Sequence, residues 1–414
     1  MSRTTVPQAS VASPSFPWVG LITLAAAIFL SITSEMLPTG LLPEMSESLG
    51  VSESSVGLLV TWFAFTVVAT STTMAHLTRR MPRHGLVVAV LIVFAISNVM
   101  TAFAPTYGLV VVSRVLGGLA HGLFWSVVGA YAAHLVPKEQ IGRAVSITVA
   151  GGTLAFVFGV PLATAAGHLI GWRMSFALLA VLMLIGAAVV WKFLPKVTHH
   201  AIRDTDTNVT ATQTPRALRT KKAKDPTVSA VILICCITMV IMVGHYTFYT
   251  YIAPYLIDVL GVGTDGLAPL LFAFGIAGAV GLVLSGTVFG PRPQLGIMLA
   301  VIVSALGVSA LAVFSANLPV AIAAFVLWGI AFGTFPPLLQ TRMLHTASLR
   351  FRDTASAIYT TAFNAGIGGG ALVGAIVLNV AGLEVLPFVY IGLLGVAFVM
   401  LVVSDIVIRR RALA

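Results

Sequence analysis

The chain has 414 residues, of which 58% are hydrophobic and only 9% charged, with a formal net charge of +10. Charged residues make up about a quarter of a soluble domain, so this composition cannot cover a water-facing surface and excludes an ordinary soluble protein. The apolar residues fall in blocks of about twenty or more, the length that crosses a bilayer as helix, without the in-out alternation of barrel strands.

Lipid forces backbone polar groups to pair within the segment, so each block reads as a helix, and twelve spans follow in order. A polar tail, 1–16, precedes a span at 17–43 that holds Glu35, the one acidic residue deep in any span. No cleavable signal peptide is expected, because the first apolar run is too long for one. The second span is 55–77, followed by Arg79, Arg80 and Arg83. Spans at 85–103 and 106–135 come next, and the latter carries Arg114, His121 and Trp125. The fifth, 141–169, contains Gly152, Gly159 and Pro161, which predict a bend and close helix packing. The sixth, 173–194, completes an N-terminal six-helix bundle at 17–194.

A polar, lysine-rich stretch at 195–226 reads as a cytoplasmic linker. The C-terminal bundle, 227–408, has spans at 228–260, 265–289, 293–315, 317–346, 352–381 and 384–408, before a tail at 409–414. Cys235 and Cys236 are adjacent in an apolar run and suit neither a disulfide framework nor a metal site. The run from His245 to Tyr251 is the most polar and aromatic part of any span, and Asn364 is the buried amide of the eleventh.

With the N-terminus inside, all Lys and Arg except Arg114 and Arg173 fall in cytoplasmic segments. That bias places both termini in the cytoplasm. The positive charge therefore reports topology, and no nucleic-acid partner is expected. Six spans, a cytoplasmic linker and six more spans form the layout of two-bundle secondary transporters, whose solute binds between the halves at mid-membrane.

An ionisable group inside the bilayer is costly and so a functional candidate. Glu35 and Arg114 each lie about 12 Å below the outer ends of their helices. A pair between them, direct or through water, is geometrically possible. It would serve either proton coupling or a static tie between two helices. His121 and His245 lie near the midplane, where histidine can titrate or bond a neighbouring helix. Tyr246 and Tyr249 combine flat apolar faces with hydrogen-bonding tips, which suits a sugar ring or an aromatic drug. Trp125 and Asn364 stand open between solute binding and packing.

Several stretches resemble the major facilitator superfamily, specifically its twelve-span drug:proton antiporter branch. Ser34-Glu35-Met36-Leu37-Pro38-Thr39-Gly40-Leu41-Leu42-Pro43 resembles the first-helix motif, and Ser113-Arg114-Val115-Leu116-Gly117-Gly118 the fourth-helix motif. Leu77 to Arg83, with Arg79 and Arg80, occupies the place of the loop 2–3 gating motif but lacks its usual Asp-Arg-x-Gly core. Gly152, Gly159-Val160-Pro161 and Gly167 resemble a loose form of the antiporter motif. Ala120 to Ser126, Gly171 to Phe176, Gly244 to Pro254 and Phe363 to Ile367 are similar to bacterial sugar efflux transporters of the arabinose-exporting kind.

The resemblance implies an all-α membrane protein of twelve transmembrane helices in two six-helix bundles, a multi-pass monomer of the bacterial inner membrane. It implies proton-coupled export of a small neutral solute by alternating access. Glu35 and Arg114 would couple protons; His121, Trp125, His245, Tyr246, Tyr249 and Asn364 would line the solute site. Gly152, Gly159, Pro161, Arg79 and Arg80 would serve structure and gating. Protons are the coupling ion, no cofactor or metal is expected, and the partners are the solute and the bilayer. The near alternative is a multidrug or chloramphenicol exporter. A membrane sensor lacks an output domain here, and no Ser/His/Asp set, HExxH or paired carboxylate within the spans supports an enzyme.

Overall fold

The computed structural model describes residues 16–78, 81–137, 140–196, 225–348 and 350–412. Arg79 and Arg80, like most of the 195–226 linker, lie outside the described residues. Among those described, twelve helices are long and apolar enough to cross a membrane. They are α1 (Trp18–Gly40), α2 (Glu53–Leu77), α3 (Arg83–Ala102), α4 (Tyr107–His134), α5, α6 (Trp172–Phe193), α7 (Val228–Tyr249), α8 (Thr264–Thr287), α9 (Pro293–Val313), α10 (Leu318–Thr346), α11 (Arg352–Ala381) and α12 (Leu386–Ala412). α5 is composite: Ile141–Leu154, a π turn at Ala155–Gly159, then Val160–Ile170.

Local sequence explains these boundaries. Ser52 caps α2 by accepting from Ser55 N at 3.3 Å, and Asn317 caps α10 by accepting from Val320 N at 3.4 Å. Pro293 opens α9, where a missing N–H costs nothing. The π turn of α5 lies just ahead of Pro161, whose absent N–H interrupts the regular ladder. Two expected spans are subdivided. The 17–43 run ends its helix at Gly40 and starts a short one at Leu42–Leu49. The 228–260 run breaks after Tyr249 into Ile252–Pro254 and a π turn at Tyr255–Val259.

The glycines with left-handed backbone, Gly50, Gly171, Gly261 and Gly382, all sit in turns at one end of the molecule. The two bundles are joined in that same half. Thr61 Oγ1 donates to the Gly368 carbonyl at 3.0 Å and Ser54 Oγ to Asn379 Oδ1 at 2.7 Å, linking α2 to α11. Gly275 of α8 lies so close to α5 that a Cβ there would stand 2.5 Å from the Phe156 carbonyl. Small residues thus set the backbone approach at both inter-bundle seams, as lipid-embedded helices require. Large apolar side chains such as Leu162, Val283 and Leu306 are exposed on the outer faces of their helices.

Candidate functional site

Between the bundles lies a cavity of about 360 Å³. Its lining runs from Phe274 and Ile367 to Gln340 and Thr360, away from the joined end, and includes Glu35, His121, Trp125, Tyr246 and Asn364. α1 and α4 supply its charged wall, α5 and α8 one flank, and α7, α10 and α11 the remainder.

His121 is the hub of the charged wall. Trp125 sits one turn further along α4, and its Nε1–H donates to His121 Nε2 at 2.7 Å. An indole nitrogen can only donate, so Nε2 must be an acceptor. The proton of the neutral ring then resides on Nδ1, which faces Ser31 Oγ at 2.9 Å. Glu35 Oε2 lies 3.6 Å from the same Nε2. Glu35 is 4% exposed, and its Oε1 has no hydrogen-bond partner among the described residues. A buried carboxyl with an open oxygen, facing an occupied imidazole lone pair, is a group whose protonation changes its bonding.

Arg114 does not pair with the Glu35 carboxylate. Its Nη1 donates to the Ser34 carbonyl at 2.9 Å and its Nη2 to the Glu35 carbonyl at 2.8 Å. The reason lies in α1: Pro38 has no N–H to return to residue 34, so the Ser34 carbonyl is left without its helical donor. A guanidinium fork fills that gap and the neighbouring carbonyl together. The Phe63 ring backs it at 4.5 Å.

His245 and Tyr249 lie elsewhere than the expected solute site. Neither lines the cavity. His245 stacks on Phe332 at 3.5 Å and on Tyr249 at 5.0 Å, inside an aromatic cluster with Phe274, Trp328 and Tyr390. Phe332 takes the place on the cavity wall. Helix geometry accounts for this. At about 100° per residue, Tyr249 points closer to His245 than to Tyr246, so only Tyr246 reaches the cavity.

The other expected residues are placed as follows. Asn364 Nδ2 donates to the Thr360 carbonyl at 2.9 Å, with its amide on the cavity wall. Gly152 lines the cavity, whereas Gly159 packs against Thr33 of α1, leaving no room for a Cβ beside its Oγ1. Sequence reasoning passed over Ser31, Asn98, Gln340 and Tyr359. Asn98 accepts from Ser34 Oγ at 3.0 Å, and Tyr359 donates to the Pro336 carbonyl at 2.9 Å. The signal for Gln340 and Tyr359 was present: Pro336 and Pro337 lie inside α10 beside them and withhold two ladder N–H groups.

Comparison with known proteins fits this geometry. The family model described as Major Facilitator Superfamily matches residues 24–371. The chain is 31% identical to a chloramphenicol efflux pump of Mycobacterium tuberculosis over 97% of each chain. It is 29% identical to a probable sugar efflux transporter of Mannheimia succiniciproducens over 89% of each. A crystal structure of a D-xylose-proton symporter superposes with a TM-score of 0.74 at 15% identity, covering 94% of this chain and 97% of that one. A bacterial homolog of the human lysosomal transporter Spinster, in an inward-facing and occupied conformation, gives 0.72 at 17% identity, covering 95% and 98%.

Proposed function

The chain belongs to the Major Facilitator Superfamily and is a multi-pass membrane transporter, not an enzyme; on that premise we propose that it exports a small neutral solute bearing hydroxyls, such as a sugar, in exchange for protons. The observation that carries this is the shared lone pair: Trp125 and Glu35 both face His121 Nε2 on the wall of the central cavity. The distribution of Lys and Arg supports cytoplasmic termini. In that orientation the joined end faces outward and the cavity opens toward the cytoplasm.

Coupling follows from competition. With Glu35 ionised, the indole N–H holds Nε2, Trp125 stays against the wall and the cavity receives solute. A proton taken up by Glu35 from outside turns the carboxyl into a donor for the same lone pair. Trp125 then leaves Nε2 and moves into the space the solute fills. Proton and solute thereby exclude one another, which is the condition for exchange. Each shifts the transporter between states only by its differential affinity for them. Tyr246 and Asn364 offer hydrogen-bonding tips to the solute's hydroxyls, and the transporter works as a monomer.

A chloramphenicol-type drug is the second reading. The aromatic walls at Phe156, Phe274, Phe332 and Phe363 favour it, as does the resemblance to a chloramphenicol efflux pump. Accumulation of arabinose and chloramphenicol in inside-out vesicles under an imposed pH gradient separates the two. Sugar accumulation that collapses with a protonophore supports sugar export. Accumulation of drug alone moves the assignment to drug export, and accumulation of neither overturns both.

A further inference from the structure

A second cavity, about 830 Å³, lies away from the first, at the end of the C-terminal bundle where α7 and α9 begin and α10 and α12 end. It shares no lining residue with the first. Its wall carries Arg292, Arg342 and His345, opposed by one carboxylate, Asp405.

Arg342 is unusual among these. It is 6% exposed, and its Nη2 donates to Ser404 Oγ at 2.9 Å. Its Nη1 has no hydrogen-bond partner among the described residues. Gln294 is anchored by its Nε2 to the Leu401 carbonyl at 3.3 Å, leaving Oε1 unpartnered. Arg292 and His345 are exposed at the rim. A buried guanidinium tied on one side to Ser404, with an unpartnered Nη1 on the other and the Asp405 carboxylate close enough to act on it, keeps hydrogen-bonding capacity for a phosphate or carboxylate.

Position narrows the ligand. Arg342 lies four residues before the last residue of α10, so its Cα is about 6 Å inside the helix end. That is the level of the lipid headgroups rather than the hydrocarbon core. Leu295, 46% exposed, gives the same pocket an apolar shoulder. The first turn of α9 adds backbone N–H groups and the positive end of a 21-residue helix. Two arginines against one carboxylate leave the pocket positive.

We infer that this pocket binds a phosphate-bearing anion at the membrane surface, the headgroup of an anionic phospholipid or free phosphate, with Arg342 as the buried ligand and Arg292 at the rim. Basic pockets between transmembrane helices hold acidic lipid headgroups by the same chemistry.

The test uses the purified full-length protein in detergent, titrated separately with phosphatidylglycerol, phosphatidylcholine and inorganic phosphate, with binding read by native mass spectrometry and thermal midpoint. Phosphatidylglycerol binds more tightly than phosphatidylcholine, and Arg292→Gln weakens it roughly fivefold, the effect of one interfacial cation. Arg342→Gln weakens it at least as much; because Arg292 is exposed, its variant remains informative if Arg342→Gln misfolds. Stabilisation by inorganic phosphate, lost in the same variants, assigns the site to a soluble phosphate. Equal binding of the two lipids with no response to phosphate overturns the inference, as does phosphatidylglycerol binding unchanged by Arg292→Gln.

Discussion

Arg114 Nη1 donates to the Ser34 carbonyl at 2.9 Å, the one carbonyl of α1 that Pro38 deprives of its helical partner. The arginine of α4 thus repairs the backbone of α1 at the turn that presents Glu35. Its charge stays near the carboxyl without a salt bridge fixing it.

Arg114→Gln therefore removes two charge-assisted hydrogen bonds to α1 and costs about 2–3 kcal/mol of stability. Pro38→Ala supplies the missing N–H from within the helix. The double variant recovers part of the loss, measured as thermal midpoint in a double-mutant cycle. Additive losses would show that the two positions act independently.

Trp125→Phe keeps an aromatic ring but deletes the donor to His121. On the proposed competition, solute affinity of the wild type falls as pH is lowered, by up to about tenfold per unit, because one proton excludes one solute. In the variant that dependence flattens while binding itself persists. Equilibrium solute binding across a pH series reads the difference.

His245 sits in an aromatic stack rather than on the cavity wall. His245→Phe preserves the volume and retains transport. His245→Ala leaves a cavity and costs about 2–4 kcal/mol. The measurement is transport rate beside thermal midpoint for both variants. Loss of transport in a stable His245→Phe protein would return the imidazole to the coupling machinery.

Outside the spans, Asp225 ties the entrance of α7 to the loop after α10. It accepts from Ser348 Oγ, and from Thr227 N at 2.9 Å and Thr227 Oγ1 at 2.6 Å. Those donors, Ser348 foremost, hold its carboxyl below the usual aspartate range. A depressed folded value means that the contribution to stability is complete above the ordinary aspartate value and is lost as pH falls through the folded one. Acidification from pH 5 to pH 3, about the aspartate range, therefore lowers the wild-type thermal midpoint more than that of Asp225→Asn.

The twelve helices were legible because bilayer length and backbone pairing leave few alternatives. Glu35 was legible for the same reason: it is the only carboxylate deep in a span, and burial is expensive. His121, Trp125, Tyr246 and Asn364 reached the cavity as their positions suggested. What sequence could not give was direction around a helix within an apolar segment. Polar and apolar faces are hard to tell apart where lipid and core are alike, so His245 and Tyr249, expected at the solute site, lie behind the cavity wall in the aromatic stack. Depth alone suggested a Glu35–Arg114 ion pair. Pro38, read only as part of a motif, was the clue that a backbone carbonyl had first claim on the guanidinium. The 228–260 run looked continuous because Tyr251 to Val259 is as apolar as a helix, although its ladder breaks there.

The most direct test of proton exchange is solute accumulation in inside-out vesicles with an imposed pH gradient, comparing wild type with Glu35→Gln. Glutamine keeps the size of the side chain but cannot load or release a proton. The expected result is gradient-driven accumulation by the wild type and only equilibrating, pH-insensitive exchange by the variant, with solute binding retained. Uphill accumulation by Glu35→Gln equal to the wild type would contradict Glu35 as the coupling group.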